Sequence, residues 1–129
     1  MKKLIFATVT ALLVTSAHAA SSTASEKGAA KLAKMLEGRT AGKPQSCISA
    51  QVSDRLQIID QTAIVYDGGA TIYVARPDRP ESLNTDDILV INRSSGQLCK
   101  QDVIRTVDRT SGFTTGVIFL GDFIPYRKG

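Results

Sequence analysis

The residues that most constrain the chemistry of this chain are its two cysteines and its single histidine. Cys47 and Cys99 stand fifty-two positions apart, with no C-x-x-C spacing to suit a dithiol redox centre or a metal site. In an oxidising compartment such a pair is expected to form a structural disulfide, with two free thiols or one reactive thiol as the competing readings. Closing a loop of that length restricts the unfolded chain by roughly 4 kcal/mol. His18 lies in an N-terminal segment expected to be removed, which leaves a domain without imidazole. That excludes Ser-His-Asp and Cys-His nucleophile arrangements, His-ligated zinc and a near-neutral histidine base. No cofactor fingerprint is present, and none is expected to be needed.

Carboxylates are the remaining means of acid-base work. Asp78, Glu81, Asn84, Asp86 and Asp87 make the densest acidic stretch. They offer oxygen ligands to calcium or a carboxylate pair, but the stretch lacks the D-x-D-x-D-G spacing of a calcium loop, so a solvated loop over residues 78–87 is expected. A glycan hydrolase would draw acid and base or nucleophile from Asp54, Asp60, Asp86, Asp87, Asp102 or Asp108. Arg105, Arg109, Arg127 and Lys128, with Tyr126 beside the last two, are candidates for a surface facing phosphates or the carboxylates of cell-wall material. Gly38 to Pro44 superficially resembles a phosphate-binding loop. Its glycines are one residue too close and Pro44 stands where a hydroxyl must reach the metal, so it is read as a flexible connection. Asn92-Arg93-Ser94 fits a glycosylation triplet, a pattern common by chance that carries little weight. Tyr66 and Tyr73 are expected to pack rather than to stack on a ligand.

The elements that position these residues begin after residue 19. Met1-Lys2-Lys3, the apolar run Leu4 to Val14 and the small residues Ala17, Ala19 and Ala20 are the three parts of a secretory signal peptide, cleaved after Ala19 or Ala20. The apolar run is too short to span a bilayer. No cysteine follows the cleavage site to carry acyl chains, so no stable membrane anchor is expected. Cleavage leaves 129 − 19 = 110 residues, which is one domain. It also lowers the formal charge from +4 to +2 by removing Lys2 and Lys3. That balance permits weak attraction to anionic envelope components but does not resemble a nucleic-acid surface.

Residues 20–45 read as a leader and an amphipathic helix. Thr23 and Glu26 predict a capping box, and Ala29, Leu32, Ala33 and Leu36 an apolar stripe running to Glu37, with Gly38 as the stop. Lys27, Lys31 and Lys34 are expected in water, with the helix packed on a sheet; docking on an anionic surface is the second reading. Residues 46–129 read as a disulfide-stapled β domain. Its expected strands are Leu56–Ile59, Thr62–Tyr66, Thr71–Arg76, Ile88–Ile91, Gln97–Cys99, Val103–Val107 and Val117–Leu120, the last extendable through Phe123 and Ile124, and a strand beginning near Cys47 would hold one end of the bridge. Asp67-Gly68-Gly69-Ala70 is a tight turn that pairs two of them as a hairpin. Ser111-Gly112 turns between another two. The fold class is therefore mainly β: a small antiparallel barrel or rolled sandwich of six or seven short strands with one N-terminal helix. A Cys47–Cys99 bridge is expected to close its sheet.

Gly42-Lys43-Pro44 through Cys47, Leu98 to Asp102, and the closing run Gly121 to Arg127 resemble small uncharacterised exported proteins of alphaproteobacteria. The resemblance covers nearly all of the mature chain. It implies an envelope protein with both cysteines as fixed features, and it carries no activity. The leading expectation is a non-enzymatic periplasmic or secreted binding or structural domain, with an envelope protein or anionic envelope component as its partner. A carboxylate-dependent glycan hydrolase is the second reading. The third is an inhibitor of a secreted enzyme presenting residues 77–87 as a rigid protruding loop.

Overall fold

The computed structural model describes residues 23–129. The signal-peptide reading, on residues 1–19, lies outside the described residues. Helix α1, Ala24–Met35, starts as its composition dictates. The Glu26 N–H donates to Thr23 Oγ1 (3.2 Å), and the Thr23 N–H donates to Glu26 Oε2 (2.8 Å), so the capping box is reciprocal.

Ten antiparallel strands follow among the described residues. The first three are β1 (Arg39–Ala41), β2 (Cys47–Ser49) and β3 (Leu56–Ile59). β4 (Ala63–Asp67), β5 (Thr71–Pro77), β6 (Asp87–Ile91) and β7 (Gln97–Cys99) continue the chain. β8 (Ile104–Asp108), β9 (Thr114–Ile118) and β10 (Leu120–Lys128) complete it. A five-stranded sheet in the order β1-β10-β5-β4-β3 forms the middle layer. The alternation of its residues sends Ile59, Ala63, Val65, Ile72 and Val74 to one face, where Leu32 of α1 meets them. Ile58, Ile64, Tyr66, Ala75 and Phe123 point to the other face. There they pack against a ribbon, β2-β7, and a three-stranded sheet, β6-β8-β9, through Ile48, Leu98, Ile104 and Ile118. The molecule is thus mainly β, a helix-backed sandwich with two apolar cores.

The sandwich half of the expected fold class stands, and the barrel half does not. The large sheet ends in separate edges at β1 and β3, because a helix covers one face while two smaller sheets share the other. Beyond β2, the short strand foreseen near Cys47, strands outnumber the six or seven expected for two reasons. Residues 114–128 divide into β9 and β10, and the stretch read as a flexible connection contains β1. Arg39 pairs with Lys128, Thr40 with Arg127 and Ala41 with Tyr126. The Arg39 guanidinium also donates to the carbonyls of Ala70 (3.0 Å) and Gly69 (3.1 Å), tying β1 to the β4–β5 turn.

The Asp67–Ala70 hairpin forms as expected, with Gly69 at φ +84°, a conformation that glycine adopts without steric cost. The helix, in contrast, is rotated from the predicted stripe. Gly28 and Leu32 are buried while Ala29 and Ala33 face water, and the helix ends at Met35 rather than Glu37. A Cβ at Gly28 would collide with the Asp60 carbonyl and Thr62 Oγ1, so glycine is what lets the helix approach this turn. Lys27, Lys31 and Lys34 are exposed.

Cys47 and Cys99 are bonded, directly opposed in β2 and β7 with Cα atoms 4.0 Å apart. The bridge fastens the ribbon rather than closing the large sheet, because β1, and not β2, lies beside β10. The ribbon joins the large sheet through reciprocal 2.8 Å backbone bonds between Gln45 and Phe123. Residues 77–87 are anchored, not free-standing: Leu83 is 1% exposed in the core and its carbonyl accepts from the Gln61 N–H at 3.1 Å. Among the described residues, no helix is long and apolar enough to cross a membrane.

Candidate functional site

Two clefts share one wall. The larger, of about 960 Å³, opens between the turn that carries Asp54, strand β3 and strand β6. Leu56, Tyr66, Leu89 and Ile91 provide apolar surface within it. Cations reach it from three separate elements: Lys31 from α1, Arg93 from the turn after β6 and Arg109 from the β8–β9 turn. Asp54 and Asp87 are its carboxylates. Arg93 buries its Nη1 without a hydrogen-bond acceptor among the described residues. Among those residues the one ion pair is Lys100 with Asp122, at 2.9 Å on the surface.

Asp87 is the shared wall, since it also lines the second cleft, of about 430 Å³. It is 7% exposed, and a carboxylate that far from water requires hydrogen-bond partners. The partner comes from an irregularity in β9. Thr106 pairs with Gly116 and Val107 with Thr114, so Thr115 is the extra residue of a bulge. Its Oγ1 lies 2.8 Å from both Asp87 Oδ2 and Thr106 Oγ1. One hydroxyl carries one proton. The chain therefore runs in one sense, with the Thr106 hydroxyl donating to Thr115 and the Thr115 hydroxyl donating to Asp87.

Asp60, Glu81 and Asp108 line the second cleft with Asp87. The expected acidic stretch is therefore divided: Glu81 and Asp87 enter this cleft, while Asp86 is exposed beside a local turn in which its N–H donates to Asn84 Oδ1. Among the described residues no three His, Cys, Asp or Glu side chains are grouped to hold a metal ion. Asp102 accepts from the Cys99 N–H at 2.8 Å, a capping role at the end of the ribbon. Asp108 Oδ1 accepts from the Ser111 N–H (2.6 Å), the Ser111 hydroxyl (2.9 Å) and the Thr110 N–H (3.0 Å). These bonds, the Ser111 N–H foremost, hold its carboxyl below the usual range. A general acid needs the opposite displacement.

The four expected cations are not assembled on one surface. Arg105 occupies the centre of β8, opposite Val90 and Val117. Arg109 reaches the larger cleft. Arg127 and Lys128 end β10 on the other sheet, opposite Thr40 and Arg39. Tyr66 and Tyr73 pack on each other with centroids 6.4 Å apart.

Three features escaped sequence reasoning. Lys31 and Arg93 belong to the cleft, Thr115 supports its wall, and the outward side of β6-β8-β9 is apolar. On that side Val103 (53%), Phe119 (57%), Val117 and Ile88 are exposed around Arg105, and Phe113 (77%) projects from the hairpin end. A signal for the last feature was legible. Ile88 to Ile91 is apolar without alternation, so a strand there must show apolar side chains on both faces. No family model, curated protein or solved structure matches the chain.

Proposed function

We propose that this protein is a non-enzymatic binding domain of the bacterial envelope, exported to the periplasm or secreted after loss of residues 1–19. Its partner in this reading is an envelope protein that presents an apolar surface carrying a carboxylate. The observation that carries the proposal is the outward face of β6-β8-β9, where Ile88, Val103, Val117 and Phe119 are exposed around a single cation, Arg105. Contiguous exposed apolar surface on a small domain marks interaction sites. Arg105 makes an acidic counterpart favourable, and it disfavours a second copy stacked squarely on the same face, which would oppose like charges. The Cys47–Cys99 bridge supports an oxidising address. Two of the six carboxylates named for a hydrolase have structural partners, Asp108 in its own turn and Asp102 at the Cys99 N–H.

The test is site-specific photocrosslinking in the native envelope, with the crosslinker at Val117 and, as control, at Lys34 on the helix. One defined adduct from position 117, lost in Arg105→Glu and not formed from position 34, is expected. Equal labelling from both positions, or an adduct composed of two copies of this chain, would overturn the proposal.

A further inference from the structure

The larger cleft holds a chemistry that the outward sheet face does not use. Arg93 presents a planar guanidinium with one buried N–H group lacking an acceptor among the described residues. Leaving such a donor unsatisfied is costly, and since Arg93 lines the cleft, rotation of its guanidinium toward that space would offer the fork to a carboxylate, the partner whose planar geometry it matches. Arg109 and Lys31 bring two further cations to the same cleft, against the carboxylates of Asp54 and Asp87. Three cations against two acids leaves the lining at +1. An isolated anion would gain from the cations and be opposed by the acids, whereas a zwitterion with one surplus negative charge satisfies both. Tyr66, Leu56, Leu89 and Ile91 supply apolar surface for a side chain. A volume of about 960 Å³ lies in the range of small-ligand clefts and accommodates a few residues of chain.

We infer that this cleft binds a short acidic peptide. A peptide carboxylate is taken by Arg93 with Arg109 and Lys31 adding charge, and the peptide ammonium faces Asp54 and Asp87. The wall that presents Asp87 is braced by the Thr106–Thr115 hydroxyl chain. The inference does not depend on the partner proposed for the sheet face: Ile88 borders both, but the groups that take the charges, Arg93, Arg109 and Lys31, line the cleft.

The experiment is calorimetric titration of the exported, disulfide-bonded protein with three probes: the tetrapeptide Ala-Glu-Leu-Ala, whose two carboxylates and one ammonium leave one surplus negative charge, its Gln-substituted and C-terminally amidated form, and inorganic phosphate. Backbone amide spectra are recorded alongside. Saturable binding of the acidic peptide alone is expected, with shifts at Arg93, Arg109 and Thr85. Arg93→Met should weaken it on the order of tenfold or more, the effect of losing one charge-assisted pair. The melting temperature should be unchanged or raised, since the unpaired donor goes with it. Arg109→Gln, on an exposed turn, should weaken binding less and serves if Arg93→Met fails to fold. Equal affinity for the amidated peptide, phosphate binding at the same residues, or full affinity in a folded Arg93→Met or Arg109→Gln variant would overturn the inference. Val117 crosslinking would be unaffected by any of these results.

Discussion

At the scale of single residues, the most consequential side chain is one that is missing. Gly28 carries no Cβ, and that absence lets α1 settle onto the Asp60–Thr62 turn. In an isolated helix Gly28→Ala would gain about 1 kcal/mol of propensity. Here the methyl meets a backbone carbonyl that cannot yield as a flexible side chain would. The expected result is a net loss of about 1–3 kcal/mol by denaturant unfolding, and a stabilised variant would contradict the packing described. Asp108 makes a second residue-scale prediction. Its carboxyl is depressed in the folded state, chiefly by the Ser111 N–H, so its contribution is present above the unfolded carboxylate range and is lost as pH falls through the lower folded value. Relative to the intrinsic exchange rate at each pH, protection of the Thr110 and Ser111 amides should fall below that range while β4 and β5 remain protected. Asp108→Ala should abolish this pH dependence. Arg93 shows why some residues are silent in a sequence: nothing near Asn92-Arg93-Ser94 reveals that Lys31 and Arg109 will approach the same cleft.

At the scale of elements, the ribbon β2-β7 is too short to persist alone, with three residues in each strand. Its bridge and the Gln45–Phe123 pair tie it to the core. Replacing Cys47 and Cys99 by Ala is expected to lower stability by about 4 kcal/mol if the effect is the lost restriction of the unfolded loop. Urea unfolding of the variant against the oxidised protein measures this. A much smaller loss would mean that the unfolded chain is already compact across that loop. The capping box of α1 was legible because both partners lie within four residues of each other. Strand β1 was not legible, because its partners on β10 are supplied by residues at the far end of the chain and three residues of mixed polarity carry no alternation of their own.

At the scale of the whole molecule, the middle sheet is covered on both faces while the β6-β8-β9 sheet is covered on one. That asymmetry predicts a separation of stability from binding. Phe119→Ser, with the aromatic ring already in water, should change unfolding free energy by less than about 0.5 kcal/mol. The same change should remove the Val117 crosslink. A large loss of stability would show instead that Phe119 supports the fold. What the sequence alone determined follows from local physics. The glycine turns, the capping box, the short β-branched runs of β4 and β5 and the two cysteines specified a mainly β domain with one helix and a disulfide. The tertiary structure decided whether the sheets closed, which face of α1 was buried, that the bridge fastens a ribbon, and which cations share a cleft. Each of these depends on pairing between distant segments. The free energy of bringing chain ends together changes only slowly with their separation, so neither spacing nor composition identifies the partner, which is chosen by the packing of the whole core.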